Sequence, residues 1–291
     1  MMMFNFYDYI SDNAPVFKSL KCDDNLFTMF NCGVENKYQD IWSHHNYIVY
    51  VAKGRKVWHT SSGIYDLTEG SLVFVRKGAC IIEQFFDAKF CLLLFFVSDD
   101  FICNVLKDKL NATTRKKDAV AKLEPVLNLH SDRYLEAFFA NMMVYFDGKP
   151  NPEPLLLQLK FRELILILTS NPLNNQILLY ADLVVSNPKG LNLQTAMEEN
   201  FCFNLKLKDF AKLCLMSLSA FKREFEKIYG VTPGKWLLTK RLEHARNLIQ
   251  NANKSVKEAA FESGFENPSH FSRAFLGQFG YPPSSIKDKN C

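Results

Sequence analysis

The chain has 291 residues, 48% of them hydrophobic and 23% charged, with a formal net charge of +4. That length is long for one domain and comfortable for two, and the composition excludes disorder on any large scale. Charge is uneven: residues 201–291 carry 15 Lys/Arg against 8 Asp/Glu, a balance of +7, and residues 1–200 carry −3. A basic tail of this kind suits a polyanionic partner or plain solubility.

The opening "MMMFNFYDYI" has no basic n-region, no continuous apolar core and no small-residue cleavage site, so no leader is expected. The most apolar stretch, "CLLLFFV" at 91–97, is far short of the ~20 residues that cross a bilayer. A cytoplasmic protein with no membrane partner is the expectation. Cysteines stand at 22, 32, 80, 91, 103, 202, 214 and 291. They show neither a C-x-x-C pair nor zinc-finger spacing, which fits reduced thiols buried as small hydrophobes.

From residue 46 the chain reads as strands: "NYIVYVAKG" (46–54), "RKVWHT" (55–60), "GIYDL" (63–67), "GSLVFVRKG" (70–78), "CIIEQFF" (80–86) and "FCLLLFFV" (90–97). These are short β-branched or aromatic runs punctuated by Gly, Lys-Gly and Asp. Their regular spacing predicts an antiparallel barrel or sandwich. From about 99 the pattern changes. The stretch 111–122 reads as polar loop, 131–146 has helical spacing, and "GKPNPEP" (148–154) breaks the chain.

A strongly apolar helix is predicted over 155–168, ended by the "SNP" at 170–172. Leu157, Phe161, Leu164, Ile165 and Leu168 form one stripe, which suits burial against the barrel. Leu155, Leu156, Leu159 and Ile167 widen the apolar surface beyond it. A homodimer contact through this helix is therefore also expected.

One internal repeat stands out. A shift of fifty superposes Ser219 on Ser269, Phe221 on Phe271, Arg223 on Arg273, Phe225 on Phe275, Tyr229 on Phe279, Gly230 on Gly280 and Pro233 on Pro283. Upstream of each lies a short helix, 207–214 and 256–264, aligned by a shift of forty-nine. Each unit thus reads helix, tight turn, helix, with Ser217 or Asn267 as N-cap and Pro268 in the first turn.

In a helix-turn-helix the second helix anchors one face on its partner and presents the other to a DNA major groove. The aromatic stripe is the anchor. On the opposite side stand Ser219, Ala220, Arg223 and Lys227 with Lys222 at the edge, and in the second unit Ser269, His270 and Arg273. Arg pairs with guanine, Ser and His donate or accept, and Lys neutralises phosphate. Between the units Thr232 and Pro233 open a helix over 233–250. Its 18 residues span ~27 Å at 1.5 Å rise, enough to hold two reading helices near the ~34 Å repeat of successive grooves. Lys235, Lys240, Arg241 and Arg246 on it are candidates for contact with the DNA backbone or for solvation.

These residues resemble a known family. The Met216-Ser217 turn, Gly230-x-Thr232-Pro233, Arg241-Leu242-x-x-Ala245, the run from Gly264-Phe265 through Asn267, Ser269, Phe271, Ser272, Arg273 and Phe275, and the closing Gly280-x-x-Pro283 are similar to the DNA-binding domain of the AraC/XylS regulators over about 192–287. The resemblance implies a bacterial transcription regulator, usually an activator that recruits RNA polymerase, and adds Ser272 to the base-reading set. Leu276 and Gly277 stand where relatives often carry basic residues, and Ala259 where a branched residue is more usual. The first unit is accordingly expected to supply most of the sequence discrimination.

The strand-rich part is similar to the cupin-like sensor domains of the same family. The expected organisation is α+β: a cupin-like antiparallel β-barrel with following helices over 1–170, a linker at 171–191, and two helix-turn-helix units joined by a linker helix over 192–291. Tyr47, Trp58 and Phe74 are candidate pocket residues for a small effector or for a surface covered by a regulatory protein. The competing reading is a cupin-type enzyme or small-molecule carrier with a helical interaction module. A catalytic metal would need His and Glu converging from neighbouring strands. His44 and His45 are adjacent and would point to opposite faces of a strand, and His59 and Glu69 do not complete the spacing. No cofactor, no metal and no catalysis are expected.

Overall fold

The computed structural model describes residues 3–13, 17–30, 36–85, 90–112, 123–147, 151–186 and 190–289. The chain divides into two compact units, Met1–Pro188 and Lys189–Cys291. The expected polar loop at 113–122 and the break at 148–150 lie outside the described residues.

In the first unit eleven strands are described: β1 (Phe4–Asn5), β2 (Ser19–Cys22), β3 (Asn25–Phe30), β4 (Tyr38–Ser43), β5 (Asn46–Lys53), β6 (Arg55–His59), β7 (Ile64–Thr68), β8 (Leu72–Val75), β9 (Gly78–Gln84), β10 (Cys91–Val97) and β11 (Val126–Asn128). They form two sheets, ordered β1-β4-β9-β6-β7 and β11-β8-β5-β10-β3-β2. Pairing is antiparallel except for β1 with β4, which run parallel. The expected cupin-like antiparallel barrel thus takes the form of two sheets packed face to face, with no ladder among the described residues joining their edges.

The six-stranded sheet is buried on both faces, which is why β10 reads as an unbroken apolar run. One face of it, with Tyr47, Val49, Leu92, Leu94 and Phe96, meets Trp58, Leu67, Cys80 and Ile82 of the other sheet. Its opposite face, with Phe27, Ile48, Phe74, Leu93 and Phe95, is covered by helices. These are α2 (Asp99–Ala112), α3 (Arg133–Asp147), α4 (Pro154–Ser170) and α5 (Gln176–Ser186), while α1 (Phe6–Asp12) packs Phe6, Tyr7 and Ile10 into the inter-sheet core. On α4 the expected stripe Leu157, Phe161, Leu164, Ile165 and Leu168 is buried, and Leu155, Leu156, Leu159 and Leu166 are exposed.

Two expectations are corrected here. Residues 176–186, read as linker, form α5 and bury Ile177, Tyr180 and Ala181. Flanking Asn-Pro pairs mimicked a flexible connection. Residues 111 and 112, read as loop, end α2.

A buried polar cluster seats α5. The Tyr180 hydroxyl donates to Asp99 Oδ1 at 2.6 Å, Asn46 Nδ2 donates to the same oxygen at 2.7 Å, and Lys77 Nζ meets Asp99 Oδ2 at 2.7 Å. The Lys77 backbone N–H donates to Asn46 Oδ1 at 3.0 Å. Burial pushes the Asp99 carboxyl up, but the Lys77 ammonium and the donors from Tyr180 and Asn46 outweigh it and leave it below the usual carboxylate range.

The second unit contains α6 (Gly190–Asn200), α7 (Leu207–Leu213), α8 (Leu218–Tyr229), α9 (Pro233–Asn251), α10 (Val256–Glu262) and α11 (Pro268–Phe279), followed by a 3-10 turn over Pro283–Lys289. The pairs α7–α8 and α10–α11 are the two repeated units, and α9 joins them. Caps follow the sequence pattern. Ser217 Oγ accepts from the Ala220 N–H, Thr232 Oγ1 from Lys235, and Asn267 Oδ1 from both Ser269 and His270. Gly230 and Gly280 end α8 and α11 in the left-handed conformation, at φ 68° and 76°.

Candidate nucleic-acid interface

Both α8 and α11 are two-sided. Phe221 and Phe225 of α8, and Phe271 and Phe275 of α11, are fully buried. Phe225 stacks on Tyr229 at 4.4 Å and meets Trp236 of α9 edge-on at 5.9 Å. In α11, Phe271 meets Phe275 at 5.5 Å and Phe275 meets Phe279 at 4.5 Å. Around Phe271 and Phe275 pack Ala259 and Ala260 of α10 and Leu242, Ala245 and Ile249 of α9.

The opposite faces carry the polar residues. Ser219, Lys222, Arg223 and Lys227 are exposed on α8 and Ala220 is half-buried. On α11 Ser269, His270 and Arg273 are exposed. The Ser272 hydroxyl is turned back, donating to the Pro268 carbonyl at 3.0 Å. Ser217 Oγ lies 3.2 Å from Ser219 Oγ, so the start of α8 presents a paired hydroxyl edge.

The cations assigned to α9 divide. Lys235 is exposed in its first turn. Lys240 is paired with Glu198 at 3.1 Å and lies over the Trp236 ring at 5.4 Å. Arg241 points inward and donates to the carbonyls of Phe201 and Phe203. Burial lowers its pKa to about 10. Arg246 lies over the Phe279 ring at 5.0 Å. Lys240, Arg241 and Arg246 are therefore engaged within the protein, where the sequence had offered them for contact with the DNA backbone or for solvation. Apart from Trp236, one turn from Lys240, their partners lie about 30 to 45 residues away in the chain, so local periodicity carries no sign of the contacts.

In the first unit the three pocket candidates separate. Trp58 Nε1 donates to the Tyr47 hydroxyl at 3.3 Å between the sheets, and that hydroxyl lies 3.8 Å from Cys80 Sγ. Burial holds the Tyr47 phenol well above its ordinary range and pushes the Cys80 thiol to about 12. Phe74 faces the other way, against Tyr180 at 5.3 Å under the helices, and does not share a site with them. Sequence reasoning missed Lys56, which is buried with its ammonium over the rings of Phe30 at 5.1 Å and Phe90 at 4.2 Å.

His44 and His45 lie in the bend between β4 and β5 rather than on a strand. Asn5 Nδ2 and His44 Nδ1 are 3.0 Å apart, and His59 meets Glu83 at 3.0 Å. Among the described residues no group of three His, Cys, Asp or Glu side chains is placed to hold a metal. No helix among them is long and apolar enough to cross a membrane.

Two helix-turn-helix units on one connecting helix, each with an apolar anchor and a polar outer face that carries an arginine, define a DNA-binding module of the transcription-regulator class. Comparison with known proteins agrees. Residues 46–180 match the family model described as ExsA N-terminal regulatory domain, and residues 210–289 match a helix-turn-helix domain model. The chain is 29% identical over 237 residues to the virulence regulon transcriptional activator VirF of Yersinia enterocolitica, covering 81% of this chain and 86% of that protein. It is 28% identical over the same shares to the thermoregulatory protein LcrF of Yersinia pestis. To the HTH-type transcriptional regulator ExsA of Pseudomonas aeruginosa it is 33% identical over 131 residues, 45% of this chain and 47% of that one. The chain is similar to AraC-family regulators in both of its domains and is a DNA-binding transcription regulator.

Proposed function

We propose that α8 and α11 are the reading helices of a transcription activator. Ser219, Ala220, Lys222, Arg223 and Lys227 face one major groove, and Ser269, His270 and Arg273 face the next, with Ser272 beside them. Lys235 meets phosphate at the start of α9. The observation that carries this reading is the matched exposure of Arg223 and Arg273 over buried Phe anchors. The reading module occupies residues 192–291. The first unit senses an effector, either a small molecule between the sheets near Tyr47 and Trp58 or a regulatory protein on its surface. The bound chain recruits RNA polymerase in the bacterial cytoplasm and performs no catalysis.

The test is a titration of duplex DNA selected by the full chain from a random pool. Arg223→Ala is expected to cost about 1–3 kcal/mol on the selected duplex and to relax specificity at the base pair it reads. Random duplex should be held weakly and released steeply as salt rises. An unaltered footprint for the variant, or retention that ignores salt, would refute the assignment.

The exposed leucines of α4 are proposed as a homodimer contact. Leu159→Asp removes apolar burial of roughly 1.5–3 kcal/mol per chain at such a contact. Sedimentation equilibrium should then show a dimer dissociation constant raised by at least ~tenfold. A monomeric wild-type chain at high micromolar concentration would exclude this contact.

A further inference from the structure

Residues 200–204, running from the last residue of α6 toward α7, cross the second half of the DNA-binding unit before the chain enters the first helix-turn-helix. Arg241, near the middle of α9, donates from Nε to the Phe201 carbonyl at 2.7 Å and from Nη2 to the Phe203 carbonyl at 2.6 Å. One planar guanidinium thus grips two carbonyls of the same strap, a geometry that a point-charge ammonium does not reproduce. His244, three residues further along α9, meets the Phe201 ring edge-on at 5.4 Å.

The strap is also seated on the turn of the second unit. A Cβ added to Gly264 would stand 2.8 Å from the Cys202 carbonyl oxygen and 3.1 Å from Arg241 Nε, and Gly264 has φ +81°. Both the conformation and the close approach require glycine there. Two residues on, Glu266 accepts a hydrogen bond from the Asn204 side-chain amide. The strap is therefore continuous with α7, clamped to α9 and pressed against the turn that precedes α11.

A domain joined only through α9 would let its second unit rock about the end of that helix. The strap adds a second attachment. We propose that Arg241 is a positioning residue for DNA recognition: by clamping residues 200–204 between the linker helix and the turn of the second unit, it fixes the separation of the two reading helices and so the half-site spacing that is accepted. This rests on the DNA-reading assignment made above.

The experiment uses the full chain and the duplex it selects from a random pool. A matched series carries one or two base pairs inserted between the two protected segments, and a further duplex holds the first half-site alone. Arg241→Met keeps the apolar stem and removes the fork, and Arg241→Lys fills a similar volume but reaches one carbonyl at a time. The wild-type chain is expected to prefer the native spacing by at least ~tenfold. For Arg241→Met that preference should fall to about threefold or less, with binding to the single half-site within about twofold of wild type. Arg241→Lys should lie between.

Should circular dichroism show Arg241→Met unfolded, the preference measured for Arg241→Lys decides alone. An unchanged spacing preference in the folded variants, or an equal weakening on every duplex including the single half-site, would overturn the proposal. A wild-type chain that selects no duplex at all would instead refute the DNA-reading assignment, and this proposal with it.

Discussion

Lys77→Met is expected to destabilise the first unit by about 3–5 kcal/mol, the cost of leaving a buried carboxylate without its counter-ion. Asp99 is buried, and its two oxygens are shared by the Lys77 ammonium at 2.7 Å, the Tyr180 hydroxyl at 2.6 Å and the Asn46 amide at 2.7 Å. Without Lys77, two neutral donors remain to hold a full negative charge away from water. The effect should depend on pH with opposite signs in the two proteins. In the wild type the folded-state pKa of Asp99 is lowered, so its contribution is present above the unfolded value of ~3.9 and is lost as pH falls through the folded value. In the variant only the two neutral donors oppose burial, the folded pKa rises, and acidification toward pH ~4 relieves the penalty. Urea unfolding at a series of pH values should show the gap between the two chains narrowing on the acid side. A gap that is flat in pH, or below about 1 kcal/mol, would mean that the pair is not a buried charge contact. Lys77→Met/Asp99→Asn should cost less than the two single changes added together, because neither charge is then left alone.

The two units differ in how far they could be read from sequence. The DNA-binding unit is built from contacts close in the chain, and its period is written twice: the Phe stripes, the Ser217 and Asn267 caps and the terminal glycines each announce a local geometry. The strands from β5 to β10 were legible because each is a short apolar run between turn residues. By contrast β1 to β4 were not read, and β1 pairs in parallel with β4 at a separation of 37 residues, Phe4 opposite Ile41. The cluster of Asn46, Lys77, Asp99 and Tyr180 was invisible for the same reason. Nothing local to Lys77 distinguishes it from an exposed turn lysine; only the closure of the fold brings Asp99 and Tyr180 to it. Within the candidate interface, exposure followed helical phase and was legible at Arg223 and Arg273. The inward turn of Arg241 was not, because Arg on an exposed-looking stripe of α9 gives no hint that residues 201 and 203 pass beside it.

Phe271→Ala is expected to cost about 3–5 kcal/mol and to abolish binding through the second unit, although this side chain touches no DNA. Phe271 is fully buried where α11 crosses α10, against Phe265 at 5.1 Å and Phe275 at 5.5 Å. Opposite it stand Ala259 and Ala260, both fully buried. Two alanines allow α10 to approach closely, so backbone rather than flexible side chain forms that wall of the site. A wall of backbone does not relax into the space left by a phenyl ring, which places the loss toward the upper part of the range. The contrast is Arg273, two residues on and exposed. Arg273→Ala should leave stability within about 0.5 kcal/mol while weakening binding to the selected duplex. Thermal unfolding and duplex titration on the same two variants separate the anchor from the reader. Equal Tm values for Phe271→Ala and Arg273→Ala would show that the Phe stripe does not hold α11 in place, and the division of the helix into an anchoring and a reading face would fall with it.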